Sequence, residues 1–222
     1  DRGPAAEIEM TLFNSDDVGL WRQRLSTEMR PGPALFLDRD GVLVEEINYL
    51  HRFEDMRIIP GAPAAVRAAN ETGMPVIVVT NQSGVGRGYY DWTAFAALQD
   101  ALIAAFAVEA AHFDMVLACA YHADGQPPFA VADHPWRKPE PGMLRAAAET
   151  LSLDLSRAWI VGDTASDIAA GRNAGLAGGV HVLTGHGPRE RDAARALAAS
   201  EFDVQTAADL AAAVPLITSC NG

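Results

Sequence analysis

The 222-residue chain is poor in cysteine, in positive charge and in long apolar runs. Its two cysteines, Cys119 and Cys220, are too few for a disulfide framework, and we expect a reducing compartment. Seventeen Lys and Arg against 29 Asp and Glu give a formal charge of -12, which would repel nucleic acid and anionic membranes. No run approaches the roughly 20 apolar residues of a membrane span. Because the N-terminal residues also lack a basic and apolar signal pattern, we expect a cytoplasmic protein without nucleic-acid or membrane partners.

Apolar runs and alanine-rich helical segments alternate from residue 34 onward, and 49% of the residues are hydrophobic, enough to form a full core. This alternation predicts an α/β fold, a Rossmann-like doubly wound parallel sheet. The predicted strands are 34–37, 75–79, 115–120, 158–161, 180–183 and a weaker 202–205, and the clearest helices are 62–71, 92–111, 142–153 and 167–174. We interpret residues 1–33 as an N-terminal extension with a hinge at residues 31–33, in which Trp21 and Leu25 pack back on a domain of residues 34–222.

Two aspartates leave the end of the first predicted strand. Asp38 and Asp40 stand two positions apart, so on an extended or barely turned chain both carboxylates point toward the same region. Two like charges that close are costly unless a cation neutralises them or one carboxyl stays protonated. Mg²⁺ fits, since carboxylate oxygens and a substrate phosphate are its usual ligands. For these two residues alone, a helix cap or an Asx turn is an equally good interpretation.

A second polar segment follows the strand predicted at 75–79. It consists of Thr80, Asn81, Gln82 and Ser83, followed by glycines at positions 84, 86 and 88. Hydroxyls, side-chain amides and backbone N–H groups are the donors that cradle a phosphate. An ordinary glycine-rich turn between a strand and a helix would have the same composition.

Two further polar segments complete the series. Arg137 and Lys138 precede prolines that suit the first turn of a helix, although a solvated basic pair is the usual explanation of such a doublet. Asp163 and Asp167 follow the strand predicted at 158–161, and Asp167 starts the next helix. In an open α/β sheet the ligand lies beyond the carboxyl ends of the strands, so we expect these segments to converge there.

In this order, the four segments resemble the motifs of the haloacid dehalogenase-like phosphohydrolases: an Asp-x-Asp pair, a Thr or Ser after a second strand, a Lys, and a late G-D-x-x-x-D. The match covers about residues 34–187. Within that superfamily, the motif sequences are most similar to those of the D-glycero-D-manno-heptose 1,7-bisphosphate phosphatases and their histidinol-phosphatase relatives. The segments that carry this similarity are L-D-R-D-G, T-N-Q-S-G-x-x-R-G and R-K-P-x-P-G-M. The resemblance implies a HAD-like fold with a minimal cap or none.

The resemblance also implies a role for each motif. Asp38 would be the nucleophile that forms an aspartyl-phosphate, and Asp40 would protonate the leaving oxygen and then deprotonate the attacking water. Thr80 and Lys138 would complete the catalytic set by holding the phosphate oxygens. Mg²⁺ would be held by the Asp38 carboxylate, the Asp40 backbone carbonyl and Asp163. The residues expected to bind substrate are Glu46, Tyr49, Asn81, Gln82, Ser83, Arg87 and Arg137.

Two positions depart from the family pattern. Many relatives carry a zinc loop of the form C-x-H and later C-x-C, whereas this chain has Cys119, Tyr121, His134 and Trp136 at those positions. A structural zinc normally takes four side chains, so we do not expect zinc here, although His122 could be recruited. The second departure is Thr164, where these phosphatases often carry a Lys, which leaves one substrate or ligand contact without its usual residue.

The sequence thus predicts a Mg²⁺-dependent phosphomonoesterase acting on a small phosphate ester, with heptose 1,7-bisphosphate as the expected substrate. Histidinol phosphate or another small phosphate is the near alternative, and a catalytically weak binding or scaffold protein is the remote one. The predicted helix 92–111 is apolar around most of its circumference, which we interpret as core packing, with an oligomer contact as the alternative. We expect a monomer or a weak homodimer.

Overall fold

The computed structural model describes residues 18–27 and 31–220, the side chain of residue 220 excepted. These residues form one seven-stranded sheet in the spatial order β1-β4-β3-β2-β5-β6-β7. The edge strand β1 is antiparallel to β4, and every other pairing is parallel. The strands are β1 (Leu20–Arg24), β2 (Leu35–Leu37), β3 (Val76–Asn81), β4 (Met115–Cys119), β5 (Trp159–Gly162), β6 (Gly178–Val182) and β7 (Asp203–Ala207).

Helices cover both faces of this sheet. They are α1 (Ala62–Glu71), α2 (Ser83–Gly86), α3 (Trp92–Val108), α4 (Gly142–Leu151), α5 (Ala165–Ala174), α6 (Gly187–Arg195) and α7 (Leu210–Cys220). Buried residues of α1, α3 and α7 pack on one face, and buried residues of α4, α5 and α6 pack on the other. The α/β fold expected from the alternating pattern is confirmed.

The central strands are apolar along most of their length, and both of their faces are buried. Along β2, Leu35 and Leu37 belong to one core and Phe36 to the other; along β3, Val78 and Ile77 divide in the same way. A parallel strand covered on both sides therefore reads as a continuous hydrophobic run. For this reason the predicted strands lie close to the observed ones.

Strand β1 was not predicted. It lies inside the segment interpreted as an extension, and its alternate residues Trp21 and Gln23 are 6% and 5% exposed. Trp21 packs against Trp92 and Phe95 at ring-centroid distances of 5.7 and 5.4 Å, so it does pack back on the domain as expected, and Leu25 packs against the same core. The predicted segment 1–33 thus contributes strand β1 to the same sheet as the predicted domain. The division of the chain at residue 33 stays a prediction.

Two helices are shorter than predicted, and three were not predicted: the single turn α2, and the longer α6 and α7. The helix predicted to reach residue 111 ends at Val108, because Ala110 takes a left-handed backbone with φ 58°. The helix predicted to reach residue 153 ends at Leu151, because Ser152 caps it in the same conformation. α6 is strongly charged and α7 contains Pro215, so neither carries a clear helical signal in the sequence.

The strand order places a crevice where the chain changes direction. From β2 the sheet grows through β3 and β4 on one side and through β5, β6 and β7 on the other. Ligands of such sheets bind outside the carboxyl ends of the strands at this switch point. The loops there, residues 38–61 and 120–141, contain no regular helix longer than the three-residue turn Phe53–Asp55. In the described part of the chain, no helix has the length and apolar character needed to span a membrane.

Candidate active site

The predicted motif residues come together at the carboxyl ends of β2, β3 and β5. Asp38 directly follows β2, Thr80 lies near the end of β3, and Asp163 directly follows β5. Together with Asp40 and Lys138 they line one pocket of about 240 Å³. The convergence expected from the parallel sheet is therefore observed.

Lys138 joins the two acidic segments. Its Nζ lies 2.9 Å from Asp38 Oδ1 and 2.6 Å from Asp167 Oδ1, and it donates to the Val79 carbonyl at 2.8 Å. Burial lowers the pKa of Lys138, but the carboxylates of Asp167 and Asp38 outweigh burial and raise it. The side chain is 3% exposed, so it presents a fixed positive charge at the floor of the pocket.

Three buried carboxylates form the one grouping of metal-ligating side chains among the described residues. Oxygens of Asp38, Asp163 and Asp167 lie within 4.8 Å of one another. Burial, assisted by the neighbouring aspartates, raises the pKa of Asp38 to about 8, and burial and Asp167 raise that of Asp163 to about 7. Burial is the main cause of these raised pKa values, and repulsion between the carboxylates adds to it, so a bound cation would favour their ionised forms. Hard oxygen donors in this arrangement fit Mg²⁺.

Asp163 is enclosed by backbone. Its Oδ2 accepts a hydrogen bond of 2.7 Å from the His186 N–H, and Gly41 packs directly against its carboxylate. A Cβ on Gly41 would collide with Asp163 Oδ2, and the φ of 81° at Gly41 is left-handed. The glycine of the D-R-D-G segment is thus required by the carboxylate that follows β5.

Asp40 is oriented by residues outside the predicted catalytic set. Arg39 holds both of its oxygens, at 2.8 Å from Nη2 to Oδ2 and 3.2 Å from Nε to Oδ1, while Gln82 Nε2 donates to Oδ2 at 3.1 Å. Arg39 is 1% exposed, and its guanidinium also lies over the Phe95 ring at 5.4 Å. A bidentate guanidinium fixes the direction of a carboxylate as well as pairing with its charge.

The polar residues at the end of β3 and just after it form more hydrogen bonds within the protein than their expected role in substrate binding implies. Asn81 brackets the backbone of Lys138, donating to its carbonyl and accepting from its N–H, both at 3.1 Å. Gln82 is 2% exposed and bonds to Thr80, Asp40 and Arg39. All three predicted binders of this segment, Asn81, Gln82 and Ser83, line the pocket, but Asn81 and Gln82 are already engaged in holding its walls.

Glu46 and Tyr49 lie at the pocket mouth. Both line the pocket, and burial followed by repulsion from Asp40 and Asp38 raises the pKa of Glu46 to about 7. Tyr49 has a left-handed backbone with φ 61°, uncommon for a bulky residue, and its hydroxyl accepts a hydrogen bond from Arg87 at 2.9 Å.

The two predicted arginines lie beside the pocket rather than in its wall. Arg87 Nη2 is 3.1 Å from Asp124 Oδ2 and 3.2 Å from His122 Nε2, while Arg137 donates to the Tyr121 carbonyl at 3.0 Å. Burial and then repulsion from Arg137 and Arg87 lower the pKa of His122. Both arginines belong to a basic cluster beside the pocket, which Arg87 connects to the pocket through Tyr49, and their role in binding substrate stays a prediction.

The segment expected to replace a zinc loop is held by aromatic contacts. Tyr121 stacks on His134 with centroids 4.1 Å apart, and Arg22 of β1 lies 4.4 Å from the centroid of the Trp136 ring. Cys119 is fully buried in β4. The expectation that this segment binds no zinc stays a prediction. Thr164, the second departure, forms a capping box with Asp167 and so orients a pocket carboxylate itself.

Sequence reasoning missed two residues of the site, Arg39 and Tyr90, which both line the pocket. Asp167 lines it as well, as expected of the G-D-x-x-x-D segment, although no catalytic or binding role is predicted for it. Nothing in the sequence indicates that Arg39 is buried.

Comparisons with known proteins agree with this geometry. A family model described as haloacid dehalogenase-like hydrolase matches residues 35–91, and a HAD-hydrolase-like model matches residues 135–213. A curated relative from Mesorhizobium japonicum, named D-glycero-beta-D-manno-heptose-1,7-bisphosphate 7-phosphatase, is 47% identical over 73% of this chain and 76% of its own length. The chain belongs to the haloacid dehalogenase-like hydrolases.

Other members of this family cover more of the chain. A D-glycero-D-manno-heptose-1,7-bisphosphate 7-phosphatase from Thermosynechococcus vestitus is 44% identical over 84% of this chain and 96% of its own length. Among solved structures, the D,D-heptose 1,7-bisphosphate phosphatase from B. bronchiseptica in complex with magnesium and phosphate is 28% identical. It superposes with a TM-score of 0.72 over 84% of this chain and 98% of the other.

Proposed function

We propose that this HAD-like hydrolase is a Mg²⁺-dependent phosphomonoesterase that removes the 7-phosphate of D-glycero-D-manno-heptose 1,7-bisphosphate. The observation that carries the proposal is the convergence of Asp38, Asp40, Thr80, Lys138 and Asp163 in one pocket at the carboxyl edge of the sheet. The relatives named for this activity, at 47% and 44% identity, support the substrate. All four motifs are intact, which disfavours a scaffold without activity.

In this mechanism the reaction has two steps on one carboxylate. A carboxylate oxygen of Asp38 attacks phosphorus, the bond from phosphorus to the sugar oxygen breaks, and Asp40 gives that oxygen a proton. Water then attacks the aspartyl-phosphate while Asp40 takes its proton, which releases inorganic phosphate and restores Asp38. The clamp from Arg39 and Gln82 fixes the direction of the Asp40 carboxylate, which lines the pocket, and so would hold it ready for both proton transfers.

Mg²⁺ fits the oxygen donors of this pocket and would be held by the Asp38 carboxylate, the Asp40 backbone carbonyl and Asp163. When bound, it supplies positive charge that reduces the repulsion between an anionic nucleophile and an anionic phosphate. Lys138 and the Thr80 hydroxyl would bind the remaining phosphate oxygens as charge redistributes. The position of Lys138, 2.9 Å from the nucleophile, is suited to that role.

The basic cluster of Arg87, Arg137 and His122 is proposed to receive the second phosphate. Burial, and then repulsion from neighbouring arginines, lowers the pKa of His122 and of Arg137, and an added anion would relieve that repulsion. Among the described residues, the carboxylate that pairs with Arg87 is that of Asp124, whose side chain is 76% exposed and can yield to a stronger ligand. Histidinol phosphate carries an amine and an imidazole instead, which this cluster would repel.

The test is a steady-state comparison of purified protein on both anomers of heptose 1,7-bisphosphate and on histidinol phosphate, with ³¹P NMR to show which phosphate leaves. We expect release of the 7-phosphate and a kcat/KM at least about tenfold above that for histidinol phosphate. A preference for histidinol phosphate would refute the assignment of heptose bisphosphate as the substrate. If no ester released phosphate in the presence of Mg²⁺, the proposed phosphatase activity would be refuted.

The few cysteines also lead us to propose a cytoplasmic location.

A further inference from the structure

The side-chain amide of Gln82 is the junction between two proposed catalytic residues. Its Nε2 lies 3.1 Å from Asp40 Oδ2 and 2.8 Å from Thr80 Oγ1. The side chain is 2% exposed, so these contacts are made away from bulk water. An amide nitrogen carries two hydrogens, and both are used here.

The orientation of this amide is set by its other end. Arg39 Nη2 lies 3.2 Å from Gln82 Oε1, and because a guanidinium only donates, the atom that faces it has to be the carbonyl oxygen. The Tyr90 hydroxyl donates to the same oxygen at the shorter distance of 2.6 Å. Two donors on Oε1 direct the NH₂ group toward Asp40 and Thr80.

This orientation decides what the Thr80 hydroxyl can do. Its oxygen accepts from Gln82 Nε2, so its own hydrogen is left to donate. Thr80 is 1% exposed and lines the pocket, so that hydrogen is available to an acceptor that enters from the pocket side. A phosphate oxygen is such an acceptor. With the amide reversed, Gln82 Oε1 would compete for that hydrogen and would also repel Asp40.

Packing on both Gly84 and His51 holds Tyr90 in position for this hydrogen bond. Its ring fills the space beside Gly84, where a Cβ would collide with it, and stacks on the His51 ring with centroids 5.1 Å apart and planes at 7°. Burial raises the pKa of Tyr90 to about 12, so the hydroxyl stays protonated and able to donate. The glycine of the T-N-Q-S-G segment is therefore required by a tyrosine six residues later.

We propose that Tyr90 is a positioning residue for phosphoryl transfer: through Gln82 it holds the Asp40 carboxylate and turns the Thr80 hydroxyl toward the transferring phosphate. This inference rests on the proposed roles of Asp40 and Thr80. It does not depend on heptose bisphosphate being the substrate, since it concerns the transferring phosphate and the leaving oxygen of any ester.

The test compares Tyr90→Phe with Tyr89→Phe, which removes the hydroxyl of the neighbouring residue, 56% exposed. Both are assayed on heptose bisphosphate, an ester with an alkyl leaving group, and on p-nitrophenyl phosphate, whose leaving group needs less help from an acid. We expect Tyr90→Phe to lower kcat about three- to tenfold on the alkyl ester, with a smaller loss on p-nitrophenyl phosphate and a smaller change in KM. Tyr89→Phe should match wild type.

A double-mutant cycle separates action through Gln82 from a general loss of structure. In a Gln82→Leu background, Tyr90→Phe should change kcat by less than about twofold, because its target is already gone. An additive loss, an equal loss on both esters accompanied by a lower Tm, or no loss in Tyr90→Phe would each overturn the proposal. If wild type cleaves p-nitrophenyl phosphate but not heptose bisphosphate, the proposed substrate assignment is refuted. The Tyr90 test is then made with another alkyl phosphate that wild type cleaves.

Discussion

Lys138 Nζ lies 2.9 Å from Asp38 Oδ1 and 2.6 Å from Asp167 Oδ1. The ammonium group therefore pairs at once with the proposed nucleophile and with a carboxylate of the helix that follows β5. Burial makes both ion pairs costly to break singly, because the remaining charge would be left without a partner. This relationship joins three distant segments of the chain into one site.

Replacement of the nucleophile should abolish turnover. Asp38→Asn keeps the shape of the side chain but cannot form the bond to phosphorus, so kcat should fall by at least about 10³-fold. Circular dichroism and Tm serve as the controls for folding. Activity above about a tenth of wild type in the folded variant would contradict covalent catalysis by Asp38.

The proposed metal site should be revealed by chelation. EDTA should abolish activity and Mg²⁺ should restore it, and Asp163→Ala should raise the Mg²⁺ concentration needed for half-maximal activity at least about tenfold, because it removes a carboxylate ligand. Glu201→Ala, an exposed acidic residue, is the matched control.

The same purified protein should contain well below one zinc per chain by elemental analysis, since zinc normally takes four side chains. Stoichiometric zinc that resists dialysis would instead show that Cys119, His122 and His134 form a site. An Mg²⁺ requirement unchanged in Asp163→Ala would mean that the metal lies elsewhere.

Removal of Arg137 should reduce discrimination between substrates. Arg137→Ala should erase most of the preference for heptose bisphosphate over histidinol phosphate, about 1.4 kcal/mol for a tenfold ratio, because the second phosphate loses a guanidinium. The ratio of the two kcat/KM values measures this. Arg157→Ala, which removes an exposed arginine at the end of the short 3₁₀ helix Leu155–Arg157, should leave the ratio unchanged. An equal loss on both substrates would place Arg137 on the transferring phosphate.

The stability of the metal-free protein should depend on pH through Glu46. Its pKa is raised from 4.5 to about 7, so the folded state binds a proton more tightly than the unfolded state. The stability that this proton contributes is present below the unfolded pKa and is lost as pH rises through about 7. In EDTA, Glu46→Gln should therefore be more stable than wild type at about pH 8 by thermal melting, and show a much smaller advantage at about pH 5. A stability advantage of the same size at both pH values would show that the titration of Glu46 is not its cause.

The edge strand should be needed for stability. Trp21 is 6% exposed between Trp92 and Phe95, so Trp21→Ala should lower the free energy of unfolding by about 3–5 kcal/mol, measured by urea denaturation. Val18→Ala, at a residue 51% exposed, should cost less than about 0.5 kcal/mol. A cost for Trp21→Ala no larger than that of the control would show that the strand is not part of the folded unit in solution.

The sequence by itself determined the parallel sheet and the identity of the motif residues. Buried parallel strands read as continuous apolar runs, and the carboxyl ends of such strands meet at one edge, so the order of the runs was enough to place Asp38, Thr80 and Asp163 together. The roles assigned to them came from the resemblance of four ordered motifs, which local pattern alone would have left as turns and caps.

The tertiary structure decided which polar residues face substrate and which hold the site. Arg39 and Gln82 were indistinguishable from ligand-binding residues in the sequence, yet they are 1% and 2% exposed and clamp Asp40. Strand β1 gave no clear signal, because an edge strand is stabilised by pairing with β4 and by packing on α3, both distant in the chain. Burial and hydrogen-bond partners depend on contacts between remote segments, and these have no local pattern.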